Sequence, residues 1–185
     1  FKDNMITEQG VFHYFKEDGS KEIRGNLLDN SYLLLAFIEG YTILNDDSYL
    51  ETAKKLADYS LENLYDWNSG GFFERNSPDI DLYAPGDHIK LSKPTKENGI
   101  ISYALLKLYQ QSNKLSYLNS GIKTLGFVQD QIGGLDRGYY GIMAANFAVQ
   151  NNLLEEYTNK KDVIDEQDLE KQNNFWLINL LSSNF

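Results

Sequence analysis

Two acidic-amide pairs stand at the openings of the two most apolar stretches of the chain: Asp29-Asn30 ahead of SYLLLAFIEGY, and Glu97-Asn98 ahead of GIISYALLKLY. At the start of a helix the free backbone N–H groups and the positive end of the dipole favour anions and polar ligands. Two carboxylates there can act as general acid and base, or as nucleophile and acid, with Asn30 and Asn98 as ligand-binding amides beside them. Plain N-capping asks for the same residue types at the same positions, so both readings stand. The third catalytic candidate is His88, in Gly86-Asp87-His88. A histidine near neutrality suits abstraction of a proton beside a carbonyl. An exposed loop histidine is more often a bystander, and His13 is the one other histidine of the chain.

Trp67, Phe72, Phe73, Tyr83, Tyr139 and Tyr140 gather where helical segments end. Flat aromatic faces stack on the C–H faces of sugars, and tyrosine and tryptophan also donate hydrogen bonds. Sealing the ends of a helical stack would use the same residues. The acidic groupings Asp46-Asp47 and Asp79 with Asp81 lack the alternating oxygens, central Gly and terminal Glu of a calcium loop, and read as turns. No P-loop, G-x-S-x-G, H-E-x-x-H or dinucleotide fingerprint occurs, so neither a metal nor a cofactor is expected.

The elements that must position these residues are helical. The 185 residues, 42% of them apolar, suffice for one domain with a real core. A net charge of −10 opposes nucleic acid or an anionic membrane as partner. The apolar run Tyr32 to Ile38 is far short of the roughly 20 residues that cross a bilayer. With no basic-then-apolar leader, a cytoplasmic location is the expectation. Zero cysteines exclude disulfides and thiolate chemistry.

Residues 1–26 read as an extended arm or short β-hairpin, because VFHYF at 11–15 is followed by an Asp18-Gly19 turn. From Leu27 the pattern is helical, capped at Asp29 or Asn30 and buried on more than one face. After Asn45-Asp46-Asp47-Ser48, the spacing of Tyr49, Ala53, Leu56, Ala57, Ser60, Leu61 and Leu64 gives an amphipathic outer helix. Trp67 to Gly71 ends this hairpin, Phe72 to Arg75 suits a short strand, and a long loop with Pro78, Pro85 and Pro94 follows. The pattern then restarts. Tyr49 matches Tyr117, Tyr41 matches Tyr109, Ala36 matches Ala104, and Asn45 matches Asn113, each 68 residues on. Asp29-Asn30 likewise matches Glu97-Asn98. Repeated inner-outer helix pairs mark stacked hairpins. A third unit begins at GIMAANFAVQNNLLEEY, so 27–159 forms the hairpin-repeat domain. Residues 160–185, with an apolar helix from Glu166 carrying Leu169, Phe175 and Trp176, either dock on it or seek a partner.

The run LLDNSYLLLAFIEGYTILNDDSYLETAKKLADY, then GGFF, then KPTKENGIISYALLKLYQQSNKLSYL and YYGIMAANFAVQNNL, resembles the C-terminal helical region of thioredoxin-domain-containing proteins of the spermatogenesis-associated type. That region is similar to N-acylglucosamine 2-epimerases and other six-hairpin (α/α) toroids. The resemblance covers roughly residues 10 to 155. It implies an all-α fold of about half a toroid, with inner-helix N-termini converging at one end. It further implies a carbohydrate-active or carbohydrate-binding domain with a small sugar as ligand. The alternative is a non-catalytic scaffold or interaction module of a larger thioredoxin-domain-containing protein, associating with itself or with an upstream domain through the C-terminal helix. The chain holds no thioredoxin motif, and Phe1 in place of an initiator Met suggests a piece of something longer.

Overall fold

The computed structural model describes residues 5–7, 10–76, 91–131 and 135–165. An N-terminal arm of three antiparallel strands, β1 (Ile6–Thr7), β2 (Gly10–Phe15) and β3 (Lys21–Arg24), precedes the helices. The hairpin closes at the expected turn. Gly19 takes φ +80°, its N–H donates to the Lys16 carbonyl, and the Asp18 carboxylate accepts from the Ser20 N–H at 2.8 Å. Phe12 faces Arg24 and Tyr14 faces Glu22 across the pair. Gly10 brings this arm against the helices: at its φ of +97°, a Cβ would stand 2.7 Å from Gly25 Cα and 2.8 Å from the Tyr59 ring. The Gly25 N–H bonds the Val11 carbonyl and ties β2 to the entrance of the first helix.

The helices are α1 (Leu27–Leu44), α2 (Asp47–Asn63), α3 (Thr95–Ser112), α4 (Leu115–Gln131), α5 (Leu135–Gln150) and α6 (Leu153–Asn159), with a helical turn over 161–165. α1, α3 and α5 form the inner layer, with α3 in the middle; α2 covers α1 and α4 covers α3. This is the all-α, two-layer hairpin stack expected from the repeat. Asp46 caps α2 by accepting from the Ser48 N–H at 2.9 Å, so Asp46-Asp47 is a turn and cap. α2 buries Leu50, Ala53, Leu56, Ala57 and Ser60 on one face, the spacing its sequence gives.

The inner helices are not equally buried. α3 is enclosed nearly all round, from Asn98 to Tyr109. α1 fully buries a single stripe, Leu27, Asn30, Ser31, Leu34 and Ile38, and leaves Ile43 78% and Leu44 59% exposed. Leu33, Leu35, Phe37 and Tyr41 are half-buried against the core on its other faces, so the burial of α1 on more than one face is partial; among the described residues α1 has an inner neighbour on one flank, and α3 has one on both. Both 18-residue helices stop the same way, on an asparagine in the left-handed region whose N–H returns to a tyrosine carbonyl, Asn45 to Tyr41 and Asn113 to Tyr109. The core joins the layers through Leu34, Ile38, Leu56, Leu64, Phe72, Leu105, Tyr109, Tyr117 and Leu118. Phe72 to Arg75 makes an isolated bridge, Phe72 opposite Tyr65, in place of the expected strand. No helix among the described residues is long and apolar enough to cross a membrane. The helix expected from Glu166 lies outside the described residues.

Candidate functional site

The inner helices run in parallel. At their starts, Tyr32 of α1 meets Tyr140 of α5, hydroxyls 3.4 Å apart and rings edge to face at 6.2 Å. A Cβ on Gly99, at the start of α3, would come within 2.8 Å of the Gly141 nitrogen in α5. Midway along, Glu39 of α1 pairs with Lys107 of α3, and Tyr103 of α3 packs on Phe147 of α5 at 5.4 Å. The three N-termini therefore lie at one end, with Asp29, Tyr32, Lys96, Glu97, Tyr139 and Tyr140 around them.

The capping expected of Asp29 or Asn30 does not occur. Asn26 holds the N-cap position of α1 and Pro94 that of α3, so Asp29 and Glu97 sit three residues inside their helices. Contacts from outside the helix move the start back: the Leu27 N–H donates to the Glu74 carbonyl. Asp29 then accepts from His13 Nδ1 at 3.0 Å through both carboxylate oxygens, and from the Asn26 amide at 3.4 Å. Glu97 is half-buried and has no hydrogen-bond or ion-pair partner among the described residues. The Tyr32 hydroxyl and partial burial push the Tyr140 phenol above its ordinary value, with the Lys96 ammonium pulling the other way.

The two asparagines share one local geometry and part in their surroundings. Each donates from Nδ2 to the carbonyl four residues back, Asn30 to Asn26 at 2.7 Å and Asn98 to Pro94 at 2.9 Å. Asn98 also clasps the backbone of Phe72: its Oδ1 accepts the Phe72 N–H at 2.6 Å and its Nδ2 donates to the Phe72 carbonyl at 2.9 Å. Asn30 is equally buried, yet its Oδ1 has no hydrogen-bond partner among the described residues.

The glycine-aromatic turn abuts the same end through that clasp. Phe72 is fully buried against Tyr65 at 4.8 Å, so its ring belongs to the core. Phe73 lies under the Lys93 ammonium, 5.0 Å from the ring centre. Lys93 locks the turn by pairing with Asp66 and donating to Ser69 Oγ at 2.7 Å and the Gly70 carbonyl at 2.8 Å. Burial pulls the Asp66 carboxyl upward, but Lys93, Ser69 and the Asn68 N–H outweigh it and hold the group below its ordinary value. Trp67 is half-buried and meets Tyr65 edge to face. Tyr139 is 60% exposed beside Tyr140.

The structure thus collects Tyr139 exposed, Asp29, Glu97 and Tyr140 half-buried, and Asn30, Asn98 and Phe72 fully buried. His88 and Tyr83 lie outside the described residues, as do Asp79 and Asp81. Among the described residues no group of three or more His, Cys, Asp or Glu is placed to hold a metal. Sequence reasoning passed over His13, Tyr32 and Lys96. Tyr32 was legible, being one turn beyond Asp29 on the same face; His13 was not, since its partner is 16 residues away.

Two further tyrosines anchor the opposite end. Tyr117 donates to Asp58 at 2.7 Å, with Lys114 on the same carboxylate at 2.6 Å. Tyr109 donates to Glu156 at 2.5 Å and accepts from Lys160 at 2.8 Å. Burial, followed by the adjoining carboxylate, pushes both phenols up, Tyr117 strongly.

No protein-family model matches the chain, and no curated protein matches it. Solved structures do. A sugar epimerase from a ruminal bacterium is similar with a TM-score of 0.54 and 18% identity over 68% of this chain. A GH76 alpha-mannanase from Bacteroides thetaiotaomicron gives 0.53 and 17% over 82%. An unsaturated glucuronyl hydrolase from Bacillus sp. GL1 gives 0.51 and 16% over 74%. The chain spans 31%, 40% and 39% of those three proteins. At these identities the likeness is one of fold, and it identifies the helical-hairpin stack as part of an (α/α) toroid.

Proposed function

We propose that this chain is a carbohydrate-active or carbohydrate-binding domain of epimerase-like toroid architecture, with its ligand at the N-terminal ends of α1, α3 and α5. The observation that carries the reading is the convergence there of two carboxylates, Asp29 held by His13 and the half-buried Glu97, with the phenols of Tyr32, Tyr139 and Tyr140. Carboxylates supply acid-base chemistry on a sugar, and phenol rings supply both a stacking face and a donor. The proteins of similar fold carry names that speak of sugars, which adds fold-level analogy and no residue assignment. His88 stays a catalytic candidate from the segment between Asn76 and Leu91, and Trp67 and Phe73 stay candidates for the rim.

A screen of mannose, glucuronic acid and N-acetylglucosamine by thermal shift and intrinsic fluorescence tests the reading. The expected result is stabilisation by at least one of them, lost in Tyr140→Ala. No shift with any sugar would refute it.

The second reading, an interaction module of a larger thioredoxin-domain-containing protein, draws on a different observation. On α5, Tyr139, Ile142 and Val149 recur at helical spacing and are 60%, 45% and 63% exposed. An apolar stripe of this kind marks an association surface. Light scattering decides here: a strict monomer at high concentration counts against self-association.

A further inference from the structure

His13 reaches the inner-helix end on β2, whose place is fixed by the Gly10 approach to Gly25 and by the Gly25-to-Val11 hydrogen bond. Its Nδ1 stands 3.0 Å from each oxygen of Asp29. An ionised carboxylate has no proton to donate, so Nδ1 must carry one and donate it. In the neutral ring the remaining lone pair then belongs to Nε2. The Asn26 amide holds the carboxylate from its other side at 3.4 Å. Asp29 is 18% exposed and His13 45%, so the anchor is tucked in while the ring stays open to solvent. A histidine whose one nitrogen is fixed by a carboxylate and whose other is open is a poised proton acceptor. One helical turn from Asp29 on the same face is Tyr32, which continues the polar surface to Tyr140 and towards Lys96.

We propose that His13 is the proton acceptor of this end of the inner layer, with Asp29 as its positioning residue. A hydroxyl of the bound ligand donates to Nε2. When it reacts, the O–H bond breaks, the Nε2–H bond forms, and the imidazolium charge rests against the Asp29 carboxylate as the ligand oxygen becomes negative. Only the ligand class rests on the carbohydrate reading above; the dyad stands on its own geometry.

Nitrogen-labelled protein, with imidazole NMR signals assigned by His13→Gln, tests the dyad without any ligand. The expected result is the Nδ1–H tautomer at His13 in the native protein, and its loss in Asp29→Asn with the helical circular dichroism retained. A native His13 in the Nε2–H tautomer overturns the proposal, and needs no variant to be read. Saturation with mannose or glucuronic acid should move the Nε2 signal, and a sugar that stabilises the protein while Nε2 stays still also overturns it. If no sugar binds, the carbohydrate reading falls, and the tautomer alone decides the dyad.

Discussion

Asn30 and Asn98 occupy matching places in successive hairpins, yet replacing each with alanine should have unequal effects. In Asn98→Ala the Phe72 N–H and carbonyl both lose their partner inside the core. Each buried group left unpaired costs roughly 1–3 kcal/mol, about 4 kcal/mol for the two. The Pro94 carbonyl keeps the backbone N–H of residue 98 at 3.0 Å and adds little. In Asn30→Ala the Asn26 carbonyl likewise keeps its backbone donor at 3.1 Å. The change also removes a buried Oδ1 that has no donor among the described residues, which offsets the truncation by roughly 1 kcal/mol or more. Both sites are fully buried, so the cavity terms are similar. The difference should be about 5 kcal/mol, which is a gap of roughly 2–5 M between urea midpoints at an ordinary m-value. Urea unfolding of the three proteins, followed by circular dichroism, measures it. Losses equal to within about 1 kcal/mol, or a larger loss at Asn30, would refute the account of the clasp.

At alkaline pH, Tyr109 and Tyr117 have folded-state values above their unfolded values, so their contribution is complete below about pH 10 and lost as pH rises further. Tyr117→Phe should therefore flatten the alkaline limb of the stability curve, measured by thermal unfolding across that range. Asp66 has the opposite sign: its folded value is depressed, so its contribution is present above roughly pH 4 and lost as pH falls below it. Lys93→Met should remove that acid-side dependence in urea titrations at acidic pH. Gly99→Ala places a Cβ 2.8 Å from the Gly141 nitrogen and 3.0 Å from Tyr140 Cβ, against backbone that cannot turn aside. A loss of about 1–3 kcal/mol is expected, with weaker near-UV dichroism as α5 moves Tyr140 off Tyr32.

The repeat was legible because local chemistry recurs with it. The paired left-handed asparagines, the tyrosine carbonyls they return to and the asparagines bonding four residues back all involve near neighbours in sequence. The Asp18-Gly19 turn was legible for the same reason. What escaped depends on contacts between distant segments. The start of α1 moves to Leu27 because Glu74 offers a carbonyl, and Asp29 becomes the anchor of His13 because β2 folds across it. Phe72 and Asn98, each open in the sequence to a ligand-binding or a structural reading, are joined to each other across 26 residues. Of the groups at the inner-helix ends, Asp29, Glu97, Tyr139 and Tyr140 stand out in the sequence by residue type, whereas Tyr32 and Lys96, within helical runs, do not.

The Glu39–Lys107 pair carries a consequence for how such a chain can be built. Its members are 68 residues apart, the same interval that separates the first hairpin from the second, so they are one position seen in two units. Two identical units side by side would set glutamate against glutamate there, or lysine against lysine. Neighbouring units fit at this point only because they have ceased to be alike. A symmetrised version made from a single unit sequence would meet like-charge repulsion along its inner wall, whereas two alternating unit types would tile it.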